Sequence, residues 1–507
     1  MVHRLELVQD PTLPAGAWCL EVAPGTDVVR VQHGRAVEPA GDGFFFGAWD
    51  RPFGDDRFDR AAVRMGTGAV VRDGRLVLVP ASHPYEPVHT ARHRGRLLAS
   101  NSLIFLLTAT GATPRVDDSD YYWKLHRSHR APRSLNPVRF EGATCTALVL
   151  DPHIVRSDLT IERVRSAPGP RFIGFDSYRD QIVDILIRLA DNGLSRDRTY
   201  AYSLSATMSA GYDSAACAVL GREAGWHTAV TMVRETDEAS DPDDGTAIGE
   251  LLGYQVERVP ADGWQSRQPF PEAEFAAGPG PQLSQYFANA EEQLQQSLLL
   301  TGAFGDTTWT PTVRELTRDF NRPRDFVSVS ECMVEWQLRV GVVHIPVPMI
   351  GADDDEQFRR LSNSAEMAPW SIGGKYDRPI PRRLLEEQGV PRDAFATIKR
   401  PSPSIRVPHR LCEDSRLDYQ AWLDAHRHRR RQVVRDLSVH LKSPGFRVFG
   451  PHRQTSDRAW ELYHLLKDWH PTWKDGHVFH WAVEKVRGRY PDNIFDTPAS
   501  RRLPTGR

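Results

Sequence analysis

Hydrophobic and polar positions follow two different rhythms along the chain, and the change falls near residue 168. Before that point, short apolar runs are separated by turn residues. Residues 68–72 and 75–79 are two such runs joined by Asp73-Gly74, which predicts a β-hairpin with a tight two-residue turn. Further strands are predicted at 43–49, 97–100 and 144–150, so this region reads as β-rich. The stretch Ala167-Pro168-Gly169-Pro170 has the composition of a linker.

After the linker the period lengthens. Tyr178, Ile182, Ile185, Leu186 and Leu189 share one face at helical spacing and predict a helix of about four turns. An apolar strand at 202–208 follows, then a small-residue helix through Ala215, Ala216, Cys217, Ala218, Val219 and Leu220 that ends near Gly225. A strand at 228–233, a helix from about 244 to 253 and a strand at 255–259 continue the alternation. This βαβ rhythm predicts a parallel sheet covered by helices. Beyond about Lys399 the chain is expected to be mostly helical, with a basic run at 426–431 and a tail carrying Trp460, Trp469, Trp473 and Trp481.

Composition removes several classes of function. A chain of 507 residues is long enough for two or three domains. Its net charge of −2, from 64 basic and 66 acidic residues, gives no general attraction to nucleic acid or to an anionic membrane. No apolar run reaches the roughly 18 residues that span a bilayer, and Met1-Val2-His3-Arg4-Leu5-Glu6 has no apolar segment of a secretory signal. The five cysteines form no CxxC pair, which fits a reducing compartment rather than a disulfide framework or a structural zinc site. A cytoplasmic protein is expected.

The candidate chemistry lies in Ser209-Ala210-Gly211-Tyr212-Asp213-Ser214, between the strand at 202–208 and its helix. Such a loop aims backbone N–H groups and the positive end of a helix dipole at one spot. Small side chains let a phosphate approach the backbone, and Asp213 adds a carboxylate suited to Mg²⁺. The loop resembles the pyrophosphate-binding SGGxDS loop of the ATP-pyrophosphatase superfamily, with Ala210 in place of the first of its two glycines.

Three further segments extend the resemblance to the asparagine synthetase-like amide-forming enzymes, including β-lactam synthetases and lasso-peptide cyclases. Asp241-Pro242-Asp243-Asp244, leading to Leu252-Gly253, is similar to an acidic turn that opens a helix in that family. Leu298-Leu299-Leu300-Thr301-Gly302-Ala303-Phe304-Gly305-Asp306 resembles a strand followed by (S/T)GxGxD, with Phe304 where a glycine is usual and Thr307 where an acidic residue is common. The segment 390–399 is similar to LPxxxxxRxK, with Lys399 at its last position and Thr397 in place of the arginine. Val343-His344-Ile345-Pro346 resembles the VExRxP stretch, with His344 at the glutamate position. The resemblance covers most of 170–405 and, through 97–101 and 140–142, more weakly the N-terminal region.

What the resemblance implies is specific. It divides the chain into a degenerate glutamine-amidotransferase-like domain of the Ntn type at 1–168 and an α/β parallel-sheet ATP-pyrophosphatase synthetase domain with a helical extension at 169–507. ATP would lie against Met208, Ser209, Ala210, Gly211, Tyr212, Asp213, Ser214, Met232 and Gly302, and Asp213 and Asp306 would hold Mg²⁺. Lys399 would stabilise the charge of adenylation and amide formation, with Lys375 as a second phosphate contact and His344 as a base toward the attacking amine. Glutamine-using relatives need a cysteine at the mature N-terminus; position 2 is Val and Cys19 lies within the chain, so a glutaminase-inactive domain is expected.

The substrate would then be a small molecule or peptide carrying both a carboxylate and an amine, joined as a β-lactam or macrolactam, with partner proteins of a biosynthetic pathway and without nucleic acid or membrane. Structural readings stand beside these: a helix N-cap for Asp306, a solvated side chain for Lys399, a core histidine for His344 and a dipole-favoured helix start for Asp241, Asp243 and Asp244. Two other functions also remain open, adenylation for tRNA modification or NAD synthesis and a non-catalytic partner that kept the fold.

Overall fold

The Asp73-Gly74 turn forms as its sequence predicts. Arg72 pairs with Arg75, and the two turn residues take φ of +50° and +68°, the left-handed pair of a type I′ hairpin. The computed structural model describes residues 4–116, 118, 121–130, 137–233, 243–279, 285–311, 332–373, 376–396, 411–426, 477–492 and 494–495. Within them the chain is mixed α/β, with two β-rich N-terminal sheets followed by a parallel sheet.

The first sheet has seven strands in the order β1 (Arg4–Gln9), β3 (Val28–His33), β2 (Trp18–Val22), β9 (Arg96–Ser100), β8 (Val88–His93), β11 (Thr144–Leu148), β10 (Val138–Arg139). The second has six, in the order β13 (Ile161–Arg163), β12 (His153–Val155), β7 (Arg75–Val79), β6 (Arg64–Arg72), β5 (Gly43–Trp49), β4 (Glu38–Ala40). Trp18 ties the two together: its ring meets Phe44 edge-on at 5.1 Å, and its Nε1–H donates to Thr67 Oγ1 at 3.0 Å. Helix Leu103–Thr110 packs beside β8 and β9, started by Ser102, whose hydroxyl accepts the Phe105 N–H, and stopped by left-handed Gly111.

The third sheet is parallel, in the order β16 (Gln255–Pro260), β15 (Thr228–Val233), β14 (Ser203–Met208), β17 (Ser297–Thr301), β18 (Val343–Pro346). Leu298, Leu299 and Leu300 of β17 are fully buried, as expected of a parallel strand covered on both faces. Strands β14, β15 and β16 run outward in one direction; the chain then returns to place β17 on the other side of β14. That reversal opens a crevice at the carboxyl ends of β14 and β17, where open α/β sheets bind ligands.

Helix Phe175–Gly193 buries Tyr178, Ile182, Ile185, Leu186 and Leu189, the face its periodicity predicts. No helix or strand lies between Arg163 and Phe175, where the linker is expected, but the hydrophobic core runs without a break through both sides of it. Arg198 and Glu38 pin the two sides together through a buried ion pair at 2.5 Å. Helices Glu413–Ala425 and His477–Arg487 represent the C-terminal region, and Trp481 is buried with its indole N–H on Asp418 at 2.7 Å. Trp460, Trp469, Trp473 and the basic residues 427–431 lie outside the described residues. No helix among the described residues is long and apolar enough to cross a membrane.

Candidate functional site

The 209–214 loop leaves β14 and turns directly into helix Tyr212–Glu223, with Gly211 at the N-cap. The Ser209 and Ser214 hydroxyls are hydrogen bonded at 2.7 Å, and the Gly211 N–H donates to Ser209 Oγ at 3.2 Å, so the loop closes on itself. Two other segments hold it. The Ala210 N–H donates to the Asp243 carbonyl at 3.2 Å, and the Ala210 carbonyl accepts the Ala396 N–H at 2.8 Å. Ala396 is three positions before Lys399, so the chain leading to that lysine is fastened to the loop. Lys399 itself, Thr397 and Lys375 lie outside the described residues.

The chain after β17 approaches from the opposite side of the crevice. A methyl group on Gly302 would lie 2.5 Å from the Ser214 nitrogen and 2.6 Å from Asp213 Cβ, and one on Gly305 would lie 2.7 Å from Asp213 Oδ1. Only glycine lets the two strand ends meet so closely. Phe304, between them, takes φ +73° and ψ −1°, a left-handed conformation that glycine adopts at no steric cost. Its ring is buried, and that burial holds the strained backbone. Asp306 follows on the exposed first turn of the short helix Gly305–Thr308, with Asp213 half-buried across from it.

Asp213 is engaged by a residue that sequence reasoning missed. Arg378 Nη1 lies 2.5 Å and 2.6 Å from its two carboxylate oxygens. Burial alone would push the Arg378 guanidinium down, but the carboxylates of Asp213 and Asp306 more than offset that and hold it above its ordinary value. Arg378 therefore feels both candidate metal aspartates. It is delivered by helix Pro379–Glu387, which starts with proline at N1 and packs on helix Tyr212–Glu223. Asp377 shapes the preceding turn by accepting the Ile372 and Gly373 N–H groups, each at 3.1 Å, and the Ser371 hydroxyl. The available signal was Asp377-Arg378-Pro379 right after the Gly373-Gly374-Lys375 stretch, a charged pair at a helix start.

The other expected contacts divide by atom. Tyr212 is the first helical residue, and its ring is buried against Tyr376 and Phe395, with its hydroxyl accepting from Arg382. The residue is 1% exposed, so its side chain belongs to the core and its backbone to the loop. Met208 is buried against the turn at Gly245, while Met232 is half-buried. Asp244 accepts the Thr246 N–H at 2.9 Å and pairs with Arg258 at 3.2 Å, the arrangement of a helix start. Asp241 lies outside the described residues.

His344 is placed away from the open side of the crevice. It is 1% exposed, its Nε2 shares a 2.6 Å hydrogen bond with the Thr301 hydroxyl, and its ring stacks on Tyr85 at 5.6 Å. Burial pulls its pKa down to about 3, so it is neutral near pH 7. As built, His344 braces the end of β17 against the N-terminal region, because the same Thr301 hydroxyl accepts the Ala303 N–H at 3.3 Å. Cys19 sits fully buried on β2, and burial, with Glu21 adding to it, raises its thiol well above the ordinary value.

Among the described residues no group of three or more His, Cys, Asp or Glu side chains gathers as a metal site. Two carboxylates are nevertheless what Mg²⁺ takes from a protein when phosphate oxygens and water complete its shell. Asp213 and Asp306 fit that requirement in number and chemistry. No protein-family model matches the sequence, and no curated protein matches it either. What the site can do follows from its own geometry.

Proposed function

We propose that the chain is an ATP-dependent, AMP-forming amide synthetase that joins a substrate carboxylate to a substrate amine without hydrolysing glutamine. The observation that carries this reading is the meeting of the 209–214 loop and the 302–306 turn at the switch point of a parallel sheet, with an aspartate on each. In this reading the parallel sheet is of the ATP-pyrophosphatase type, and the two N-terminal sheets are a degenerate amidotransferase-like domain. Cys19, buried with its thiol pushed up, is unsuited to act as a glutaminase nucleophile.

The chemistry would run as follows. ATP lies with its β- and γ-phosphates against the loop, on the N–H groups of the first turn of helix Tyr212–Glu223. The substrate carboxylate attacks the α-phosphorus; the bond to the bridging oxygen breaks, giving an acyl-adenylate and pyrophosphate. The amine then attacks the acyl carbon, loses a proton and displaces AMP. Mg²⁺, held by Asp213 and Asp306, would supply charge neutralisation for the leaving pyrophosphate. Lys399 is assigned to the oxyanion and Lys375 to a phosphate. The substrate is a small molecule or peptide carrying both groups, closed as a lactam or lasso-type macrolactam. None of the five cysteines is joined in a disulfide among the described residues, in keeping with a cytoplasmic location.

The test is Mg²⁺-dependent ATP–pyrophosphate exchange with candidate acids. Exchange by the wild type and its loss in Asp213→Ala are expected; normal exchange in that variant would sink the assignment. Release of glutamate from glutamine would overturn the glutaminase-inactive part. A second reading, a partner protein that keeps the fold without catalysis, draws on the occupation of Asp213 by Arg378. It expects no metal-dependent nucleotide binding by calorimetry.

A further inference from the structure

Arg378 makes a contact that a phosphate site would not leave in place. The residue is 3% exposed, yet among the described residues its side chain donates hydrogen bonds only to Asp213, and through Nη1 alone. A guanidinium presents five N–H donors in a planar fork that matches a carboxylate or phosphate through two nitrogens. Here both carboxylate oxygens crowd one nitrogen, so the fork is not used. The group is held in place by packing, with its carbon 5.0 Å from the Tyr376 ring centre and 5.9 Å from that of Tyr212. Its charge also interacts with Asp306. It therefore occupies one of the two carboxylates that the synthetase reading assigns to Mg²⁺, beside the helix start whose backbone donors are assigned to phosphate.

We propose that Arg378 is a phosphate-binding residue and that its pair with Asp213 is the nucleotide-free half of a charge exchange. Resting on the synthetase reading, the proposal is that the guanidinium passes from Asp213 to an oxygen of the pyrophosphate moiety as metal and nucleotide arrive together. Asp213 is thereby released to the metal. The exchange keeps every buried charge paired, whereas stripping Asp213 from Arg378 with a divalent ion alone would strand a buried guanidinium beside a second positive charge. Metal without nucleotide is therefore excluded, and metal with phosphate is admitted. In this way the site selects a polyphosphate–metal pair over either component.

The test uses the full chain, Mn²⁺ read by electron paramagnetic resonance, and inorganic pyrophosphate and ATP titrated by calorimetry. The wild type should bind MnATP but bind Mn²⁺ alone at least tenfold more weakly. Arg378→Gln should narrow that gap by tightening Mn²⁺ alone about tenfold and weakening MgATP and magnesium pyrophosphate by ten- to a hundredfold. Arg378→Lys should keep the exclusion of free metal but recover only part of the phosphate affinity, because an ammonium lacks the fork.

Asp213→Asn supplies an arm of opposite sign: with its anionic partner removed, Arg378 should bind metal-free pyrophosphate at least threefold tighter than in the wild type. Unchanged Mn²⁺ affinity in Arg378→Gln, or unchanged metal-free pyrophosphate affinity in Asp213→Asn, overturns the exchange. If the Arg378 variants do not fold, the Asp213→Asn arm decides alone. Absence of MnATP binding by the wild type would instead defeat the synthetase reading on which the proposal rests.

Discussion

Polar groups enter the interior in both halves of the molecule, and the two halves treat them in opposite ways. Beside the N-terminal sheets, Glu86, Asn101 and Gln337 surround a cavity of about 10 Å³, room for no more than one water. Gln337 Nε2–H donates to Glu86 at 2.9 Å, and Asn101 bridges Gly16 and Trp18, so these side chains hold the chain to itself, with Gln337 Oε1 buried and lacking a hydrogen-bond partner among the described residues. At the carboxyl ends of β14 and β17 the polar groups lie nearer the surface. Asp213 is half-buried, Asp306 is exposed, and backbone N–H groups begin a helix beside them. Sealed polar groups fix geometry; polar groups at a strand end are open to a ligand that can replace their present partners, as Arg378 now holds Asp213. The contrast gives the first region a structural role and agrees with the chemistry proposed for the second.

The largest effect expected from breaking that division is on stability. Glu38 accepts the Thr199 and Tyr200 N–H groups and the Arg198 guanidinium, with both side chains of the ion pair at or below 3% exposed. Glu38→Ala should therefore cost about 3–5 kcal/mol, since it leaves a buried guanidinium without its carboxylate. Urea unfolding measures this. A loss under about 1 kcal/mol would mean that the seam between the N-terminal sheets and the chain after 193 is not fixed by this pair.

Glu86 gives the sealed region a pH signature. Burial raises its carboxyl from the ordinary 4.5 to about 7, while His83 and His344 beside it are held low, also by burial. Between those two values the folded protein keeps a proton that the unfolded chain has released. The Glu86 contribution therefore weakens folding as pH rises through that window and is harmless below it. Glu86→Gln retains an acceptor for Gln337 and carries no charge, and in its difference from wild type the histidine contributions cancel. Its stability advantage should grow from near zero at about pH 4 to about 3 kcal/mol at about pH 8. An advantage that does not change with pH would show that solvent reaches this carboxyl, and the two regions would then be alike.

At the crevice the sensitive quantity is activity. Gly302→Ala should lower ATP–pyrophosphate exchange by about a hundredfold, because the added methyl pushes the β17 turn off the backbone at Asp213 and Ser214. Far-UV circular dichroism should be unchanged, since Gly302 is only half-buried at the rim of the sheet. Full exchange in this variant would separate the two strand ends that the proposed site joins.

The same contrast explains what the sequence made legible. The parallel sheet was readable because β14 and β15 are short apolar runs each followed by a helix, and Thr228–Val233 falls where the pattern puts it. The hairpin was readable because Asp-Gly encodes its own turn. Strands such as β1 and β12 were not: one is largely exposed and the other has three residues, so neither carries a pattern above background. Arg378 escaped for a different reason. Its approach to Asp213 spans 165 positions and depends on how two helices pack, which no local period records. His344 shows the converse, since an apolar strand with one histidine reads alike whether the ring meets a substrate or, as here, Thr301 and Tyr85.

The smallest effect concerns the loop's own departure from the pattern it resembles. Ala210 does not take the left-handed backbone that would demand glycine, and both its N–H and its carbonyl are bonded, to Asp243 and Ala396. Its methyl is half-buried against the core. An alanine is therefore compatible with the loop's shape, and Ala210→Gly should gain nothing sterically while enlarging the freedom of the unfolded chain. It should lower stability by about 0.4–1 kcal/mol and leave exchange within about threefold of the wild type. A tenfold gain in exchange would mean that the methyl stands where a phosphate oxygen belongs, and the ligand would then sit closer to Ala210 than to the N–H groups at the start of helix Tyr212–Glu223.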